Sequence, residues 1–163
     1  MIVYHGSNTT VEKPQLVPQT RFLDFGKGFY TTENKTQAVS FADKVYRRRK
    51  EGVPTVSVYE VDESAAFSVC SVLRFDAPDE AWLDFVYEHR TGVYKGNACE
   101  LVYGAVANDD VYETFSLYAT VVLNKEDTLK RLKVKKLYNQ LVFTSERALS
   151  FLTFKSVLDR EDK

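Results

Sequence analysis

"LDFGKGFYTTENKTQAVSFA" (residues 23–42) changes character twice within twenty residues. Gly26 and Gly28 around Lys27 favour a tight turn, and Phe29–Thr32 is a run of aromatic and β-branched residues. Asn34, with Gln37 three positions on, can then cap a helix. Ala38, Phe41, Ala42, Val45 and Tyr46 follow the three-and-four spacing of one helical face, which predicts a helix over about 35–50. A glycine turn therefore delivers Tyr30 just ahead of a helix.

Upstream, residues 1–4 read as a short strand broken by a turn at His5-Gly6-Ser7, which puts His5 at a strand end. The stretch from there to about residue 24 contains Pro14 and Pro18, shows no period, and reads as a covering loop. Downstream, "TVSVYEV" (55–61), "VCSVLRF" (69–75) and "ELVYGAV" (100–106) are strand candidates. "DAPDEAWLDFVYEHR" (76–90) predicts a helix, with Pro78 and acids at its start and Ala81, Trp82, Phe85, Val86 and His89 on one side. Val111, Phe115, Tyr118, Ala119 and Val122 are spaced for another helix, and Asn124 with Asp127 can start one more, through about Lys136. "NQLVFTSERALSFLTFKSVL" (139–158) predicts strand, short helix capped by Thr144 or Ser145, then strand. Strands and helices mix without regular alternation, so the expected class is α+β in one domain over 1–163, with a frayed tail from about 159.

With 163 residues, 44% of them hydrophobic, the chain can bury a core without staples. A formal net charge of −1 removes any global field that would recruit nucleic acid or an anionic membrane. Cys70 and Cys99 are too few for a disulfide framework, and nothing has paired metal-ligand spacing. The sequence shows no signal-peptide pattern and no apolar run of membrane-spanning length, which predicts a cytoplasmic protein. Ten Tyr and eleven Phe are enough for some rings to line a pocket as well as fill the core.

Only two histidines are present. His89 falls in the last turn of a predicted helix, where a positive charge suits the dipole, and reads as structural. His5 precedes Gly6-Ser7, where a residue without a side chain lets a backbone approach a ligand closely.

"YHGS" (4–7) followed by "GKGFYTT" (26–32) resembles the ADP-ribosyltransferase superfamily, in its poly(ADP-ribose) polymerase-like branch. The resemblance implies a split β-sandwich of two small sheets with flanking helices and a central cleft for NAD, the substrate. It implies that His5 hydrogen-bonds the adenosine-side ribose, Gly6 offers backbone groups to the nicotinamide amide, and Ser7 and Thr32 add polar contacts. Tyr30 would stack on the nicotinamide ring, and Phe41 would close the other side. Two π faces suit a flat cationic ring. Without a ligand, Phe41 on the apolar stripe equally reads as core, and Gly26-Lys27-Gly28 as an ordinary turn. "LYNQLVF" (137–143) resembles the third element, a catalytic Glu leading into a late strand, with Gln140 in the Glu position. More narrowly, "VYHGS", "LDFGKGFYTT", "VANDDVYET" and "QLVFT" are similar to a small bacterial DUF3990-like family of toxin type, which implies a mono-ADP-ribosyltransferase with an antitoxin partner.

Cleaving the nicotinamide–ribose bond develops positive charge on the ribose carbon. A carboxylate accepts a hydrogen bond from a ribose hydroxyl and stabilises that charge; Gln140 retains the first contribution and brings only a dipole to the second. Three expectations follow: a slower transferase using His5, Tyr30 and Gln140; a substitute acid among Asp109, Asp110 and Glu113; or an NAD-binding module without turnover. Transfer to water instead of a protein or nucleic-acid acceptor would make the protein an NAD glycohydrolase.

Two basic runs remain, "RRRK" (47–50) and "KRLKVKK" (130–136). The first reads either as cations at a helix C-terminus or as a phosphate contact, to a pyrophosphate or a nucleic acid. Whether the two runs meet in space decides how large a basic surface exists.

Overall fold

The computed structural model describes residues 1–18, 21–107, 109–133 and 137–158; the side chains of residues 109–112 and 133 fall outside the described set, as does the tail expected to fray. The elements are β1 (Ile2–Ser7), β2 (Phe29–Thr32), α1 (Lys35–Arg49), β3 (Thr55–Val61), α2 (Glu63–Val69), β4 (Val72–Arg74) and α3 (Glu80–Thr91). They continue with β5 (Leu101–Ala105), α4 (Asp109–Ala119), α5 (Lys125–Lys133), β6 (Asn139–Phe143), α6 (Glu146–Leu149) and β7 (Leu152–Val157). The class is α+β, as the mixed pattern predicts. Among the described residues no helix is long and apolar enough to cross a membrane.

The strands form one seven-stranded sheet in the order β4-β5-β6-β2-β1-β3-β7, in place of the two expected sheets. Among the described strands only β4 and β5 run parallel. The sheet is nonetheless almost divided at its middle: β1 pairs with β3 over six residues, and β2 with β6 over four, whereas β1 meets β2 at the single pair Tyr4↔Thr32. The β4-β5-β6-β2 and β1-β3-β7 halves are thus joined by one residue pair.

Strand alternation sorts the core onto two faces. Val3, Phe29, Tyr59, Leu101, Leu141 and Phe143 point to one face, covered by α2 and α6 through Ala66, Ala148 and Leu149. Val102 and Val142 point to the other, under Trp82, Leu83 and Val86 of α3, Phe115 of α4 and Leu132 of α5. On the β1–β3 half this second face is covered by α1, whose Ala38 and Ala42 lie over Val56 and Tyr4.

Several local expectations change. The turn expected at His5-Gly6-Ser7 is strand: β1 continues through all three residues, opposite Ser57, Val56 and Thr55. Gly6 is required here by packing, since a Cβ on it would lie 2.3 Å from the Ala38 carbonyl oxygen and 2.8 Å from the Ala42 nitrogen. The strand expected over 69–75 shortens to Val72–Arg74, because Asp62 caps a helix over Glu63–Val69 by accepting a hydrogen bond from the Ala65 N–H. The helix drawn through Val122 stops at Ala119, and Val121 and Val122 are exposed. Asn124 caps α5 through the Asp127 N–H at 2.8 Å, as expected, while residues 134–136 fall outside the described set.

Glu100, at the start of β5, ties three elements together. Its carboxylate accepts from the Ser71 N–H at 3.1 Å, Ser145 Oγ at 2.9 Å and Arg147 Nε at 2.9 Å, and pairs with the Arg147 Nη2. Arg147 first, then these other donors, hold its pKa down at about 2. Because the folded pKa is depressed, the stability it adds is full above its ordinary 4.5 and disappears as pH falls towards 2. Acid titrations of the wild type and Glu100→Gln should therefore differ in stability at neutral pH and converge near pH 2. A gap of constant size across that range would show that the clamp does not act through the carboxylate's charge.

Candidate functional site

The gap between β1 and β2 is built by backbone direction. Leu158 N–H donates to the Val56 carbonyl at 2.9 Å, so Val56 turns its polar groups towards β7 and away from β1. In an antiparallel pair this makes Gly6↔Val56 a non-hydrogen-bonded pair, so the N–H and C=O of Gly6 point the other way, at β2. Pairing of β1 with β2 ends two residues earlier, so Gly6 has no partner strand on that side. The parity set by Tyr4↔Thr32 likewise directs the backbone groups of Tyr30 at β1.

His5 occupies part of this gap. Its Nδ1 lies 2.8 Å from the Tyr30 carbonyl, and its ring stacks on Phe29 at 4.2 Å between centroids. A carbonyl only accepts, so Nδ1 carries the proton and donates it, leaving Nε2 as an acceptor. Burial, and then the nearby Arg49 charge, push the His5 pKa below its usual value, against the raising effect of the Tyr30 hydrogen bond, so the ring stays neutral at physiological pH. The imidazole satisfies the carbonyl that a continued β1–β2 ladder would have used and so helps keep the strands apart.

Tyr30 projects onto the face that α1 and α3 cover. Its hydroxyl donates to the Gly26 carbonyl at 2.6 Å and accepts from the Phe25 N–H at 3.1 Å, which ties the ring to the glycine turn. Burial pushes its pKa far up, so it remains a neutral phenol. The turn closes with a Gly26 N–H to Leu23 carbonyl bond at 3.1 Å, and Gly26 has φ +77°, a conformation glycine adopts without strain. His89 packs against Gly26, stacks on Tyr94 and bonds the Phe85 carbonyl, in keeping with its structural reading.

The turn has a second anchor that sequence reasoning missed. Asp24 is buried, pairs with Arg90 of α3 at 2.5 Å, and accepts the Ala107 N–H at 3.2 Å. An acid between Leu23 and Phe25 was the available signal, because a carboxylate in an apolar run needs a buried partner.

Thr32 is buried beside Gln140, its cross-strand neighbour. Its Oγ accepts from the Asn34 N–H at 3.1 Å and lies 2.9 Å from the Asn139 carbonyl and 2.7 Å from the Gln37 side-chain amide. One hydroxyl proton serves one acceptor, so with the proton on the Asn139 carbonyl the Gln37 amide presents its NH2. The hydroxyl is engaged by protein, and Thr32 joins β2 to the start of α1. Ser7 is buried, with Oγ at 3.5 Å from Asn8 Oδ1.

Phe41 is 49% exposed, which removes its reading as core. At 100° per residue Gln37, Phe41 and Arg48 share a flank of α1, and Gln37 reaches Thr32, so that flank faces β2. Phe41 is thus an exposed ring on the crevice side of the helix, on the same sheet face as Tyr30.

Gln140 is buried and sits diagonally from Tyr30 on that face, since Tyr30 pairs with Val142, a relation that separates two residues by about 7–8 Å. Its Nε2 has no hydrogen-bond partner, and among the described residues it is the one buried side-chain nitrogen or oxygen in that state. Of the proposed substitute acids, Glu113 is exposed on α4, and the side chains of Asp109 and Asp110 lie outside the described set.

The described parts of the two basic runs make different contacts, and residues 134–136 fall outside the described set. Arg49 reaches back to β1's end, donating to Asn8 Oδ1 at 2.9 Å, while α5 packs on α4 and its Lys125 bonds Glu80 and Asp84 of α3. Lys130 pairs with Glu126 within α5.

A family model described as a protein of unknown function, DUF3990, matches residues 1–154, a span that includes every candidate site residue above. No curated protein and no solved structure matches the chain.

Proposed function

The chain belongs to the DUF3990 family, and from the crevice between β1 and β2 we propose that it is an NAD-dependent mono-ADP-ribosyltransferase of ADP-ribosyltransferase-like fold. The observation supporting this is the interrupted ladder: a glycine backbone without a partner strand faces the crevice beside a neutral imidazole with a free acceptor nitrogen. One amide can receive both a hydrogen bond from the Gly6 N–H and donate one to the Gly6 carbonyl, which is how a carboxamide would be recognised. Tyr30 and Phe41 offer aromatic surface for its ring. His5 Nε2 would accept from a ribose hydroxyl.

In the proposed reaction the bond between the nicotinamide nitrogen and ribose C1′ breaks, and its electron pair leaves with neutral nicotinamide. The acceptor's lone pair forms the new bond to C1′, and the acceptor loses a proton to solvent. Gln140 orients the ribose and contributes a dipole to the cationic transition state. The toxin role with an antitoxin partner belongs to the same proposal. A second reading, an NAD-binding module with little or no turnover, is favoured by the uncharged side chain at 140.

Incubation with NAD labelled in its adenylate half, with candidate protein and nucleic-acid acceptors, separates these readings. Transferase activity predicts nicotinamide release with label on a macromolecule, and hydrolysis predicts free ADP-ribose. NAD binding without nicotinamide release would leave the binding module. Tyr30→Ala should abolish turnover and weaken NAD binding; full turnover in that variant would remove Tyr30 from the site.

A further inference from the structure

We propose that the C-terminal turn of α1, together with Arg21, is a docking surface for the phosphate backbone of a single-stranded nucleic acid. On the transferase reading of the crevice, that strand is the acceptor. Arg47, Arg48, Arg49 and Lys50 are all exposed at the helix end. Cations there suit the helix dipole, which accounts for a basic last turn in many helices. The dipole does not account for Arg21, which comes from the covering loop and lies near enough to Arg48 that its charge, with that of Arg49 and after the larger effect of burial, lowers the Arg48 pKa.

Among the described residues, none of the five cations is paired with a carboxylate; Arg49 is held by the neutral Asn8 side chain. In a chain of net charge −1, this concentrates uncompensated positive charge at one place. Aromatic rings stand beside it: Phe22, adjacent to Arg21, is 69% exposed, and Phe41 lies two turns before Arg48 on the same flank. Cations that follow a backbone, with rings on which bases stack, are the components of single-strand binding.

A dinucleotide in the crevice would use only part of this surface. Arg49 turns inward to Asn8, and Arg47, two residues earlier, projects about 200° away around the helix. The charge therefore wraps the helix end, beyond the reach of one pyrophosphate.

Fluorescence anisotropy of labelled single-stranded RNA and DNA of about 20 nucleotides, with the full chain and no NAD, tests the proposal. Affinity should fall steeply with salt. The triple variant Arg21→Glu/Arg47→Glu/Arg48→Glu keeps the Arg49–Asn8 bond and should bind at least about tenfold more weakly, with a salt slope smaller by about 2. Its thermal midpoint and NAD affinity should match the wild type. Absence of strand binding at low salt, or strand binding unchanged by the triple variant, overturns the proposal. So does loss of NAD affinity, which would assign the cluster to the dinucleotide, or binding to phosphatidylserine vesicles in place of strands. Strand binding without nicotinamide release would sink the transferase reading and leave the docking surface standing.

Discussion

Gln140→Glu should raise the rate of nicotinamide release by about two to three orders of magnitude, the effect expected from one preorganised group worth about 3–4 kcal/mol in a transition state. The change is nearly isosteric and places a full negative charge diagonal to Tyr30, where the proposed reaction builds positive charge on ribose. The gain should depend on pH. Residue 140 is buried, and the Gln140 Nε2 has no hydrogen-bond partner, so burial will raise the pKa of a carboxyl there above the usual range. Activity should then increase with pH through that raised value as the carboxylate forms. Stability should move the opposite way: the unfolded chain ionises first, so the variant loses stability from about pH 4.3 upwards until the folded carboxyl also ionises. A variant that is stable and binds NAD but is no faster than wild type at any pH would show that position 140 does not face the reacting ribose.

Gly6→Ala should be among the most damaging small substitutions in the fold. The added methyl carbon would meet the Ala38 carbonyl at 2.3 Å and the Ala42 nitrogen at 2.8 Å. Both are backbone atoms, so no rotamer change relieves the clash and α1 has to lift from β1. A cost of about 3 kcal/mol, at the upper end for overpacking, corresponds to a thermal midpoint lower by about 6–12 °C in a chain of this size. Turnover should fall as well, because α1 carries Phe41 and joins β2 through Gln37 and Thr32. A midpoint within a degree or two of wild type would mean that α1 does not bear on β1 at Gly6.

Much of the chain can be read locally. Asn34, Asp79 and Ser145 cap the helices that follow them through the N–H groups of Gln37, Trp82 and Ala148, because a short polar side chain three residues ahead of a free N–H is a local arrangement. Misreadings arise where a distant partner decides. Gly6 looks like a turn former because glycine is conformationally permissive, yet its role is to admit a helix backbone thirty-odd residues away. "VCSVLRF" looks like strand by propensity, but the Asp62 cap draws Val69 into a helix and only three residues pair with β5. Phe41 fits the apolar period of α1, while the sheet leaves its flank uncovered.

The sequence by itself determined the α+β class, most helix starts, the family resemblance and the residues that carry it, His5, Gly6, Tyr30, Phe41 and Gln140. Capping, alternation and turn formation act within a few residues and are written in their order. Tertiary structure alone decided that β1 and β2 separate after one pair, that His5 donates to the Tyr30 carbonyl across the gap, that Asp24 is neutralised by Arg90, and that Arg21 joins the end of α1. Each depends on groups brought together from 25 to 66 positions apart, and on which direction a backbone amide points once its neighbours on the other side are satisfied.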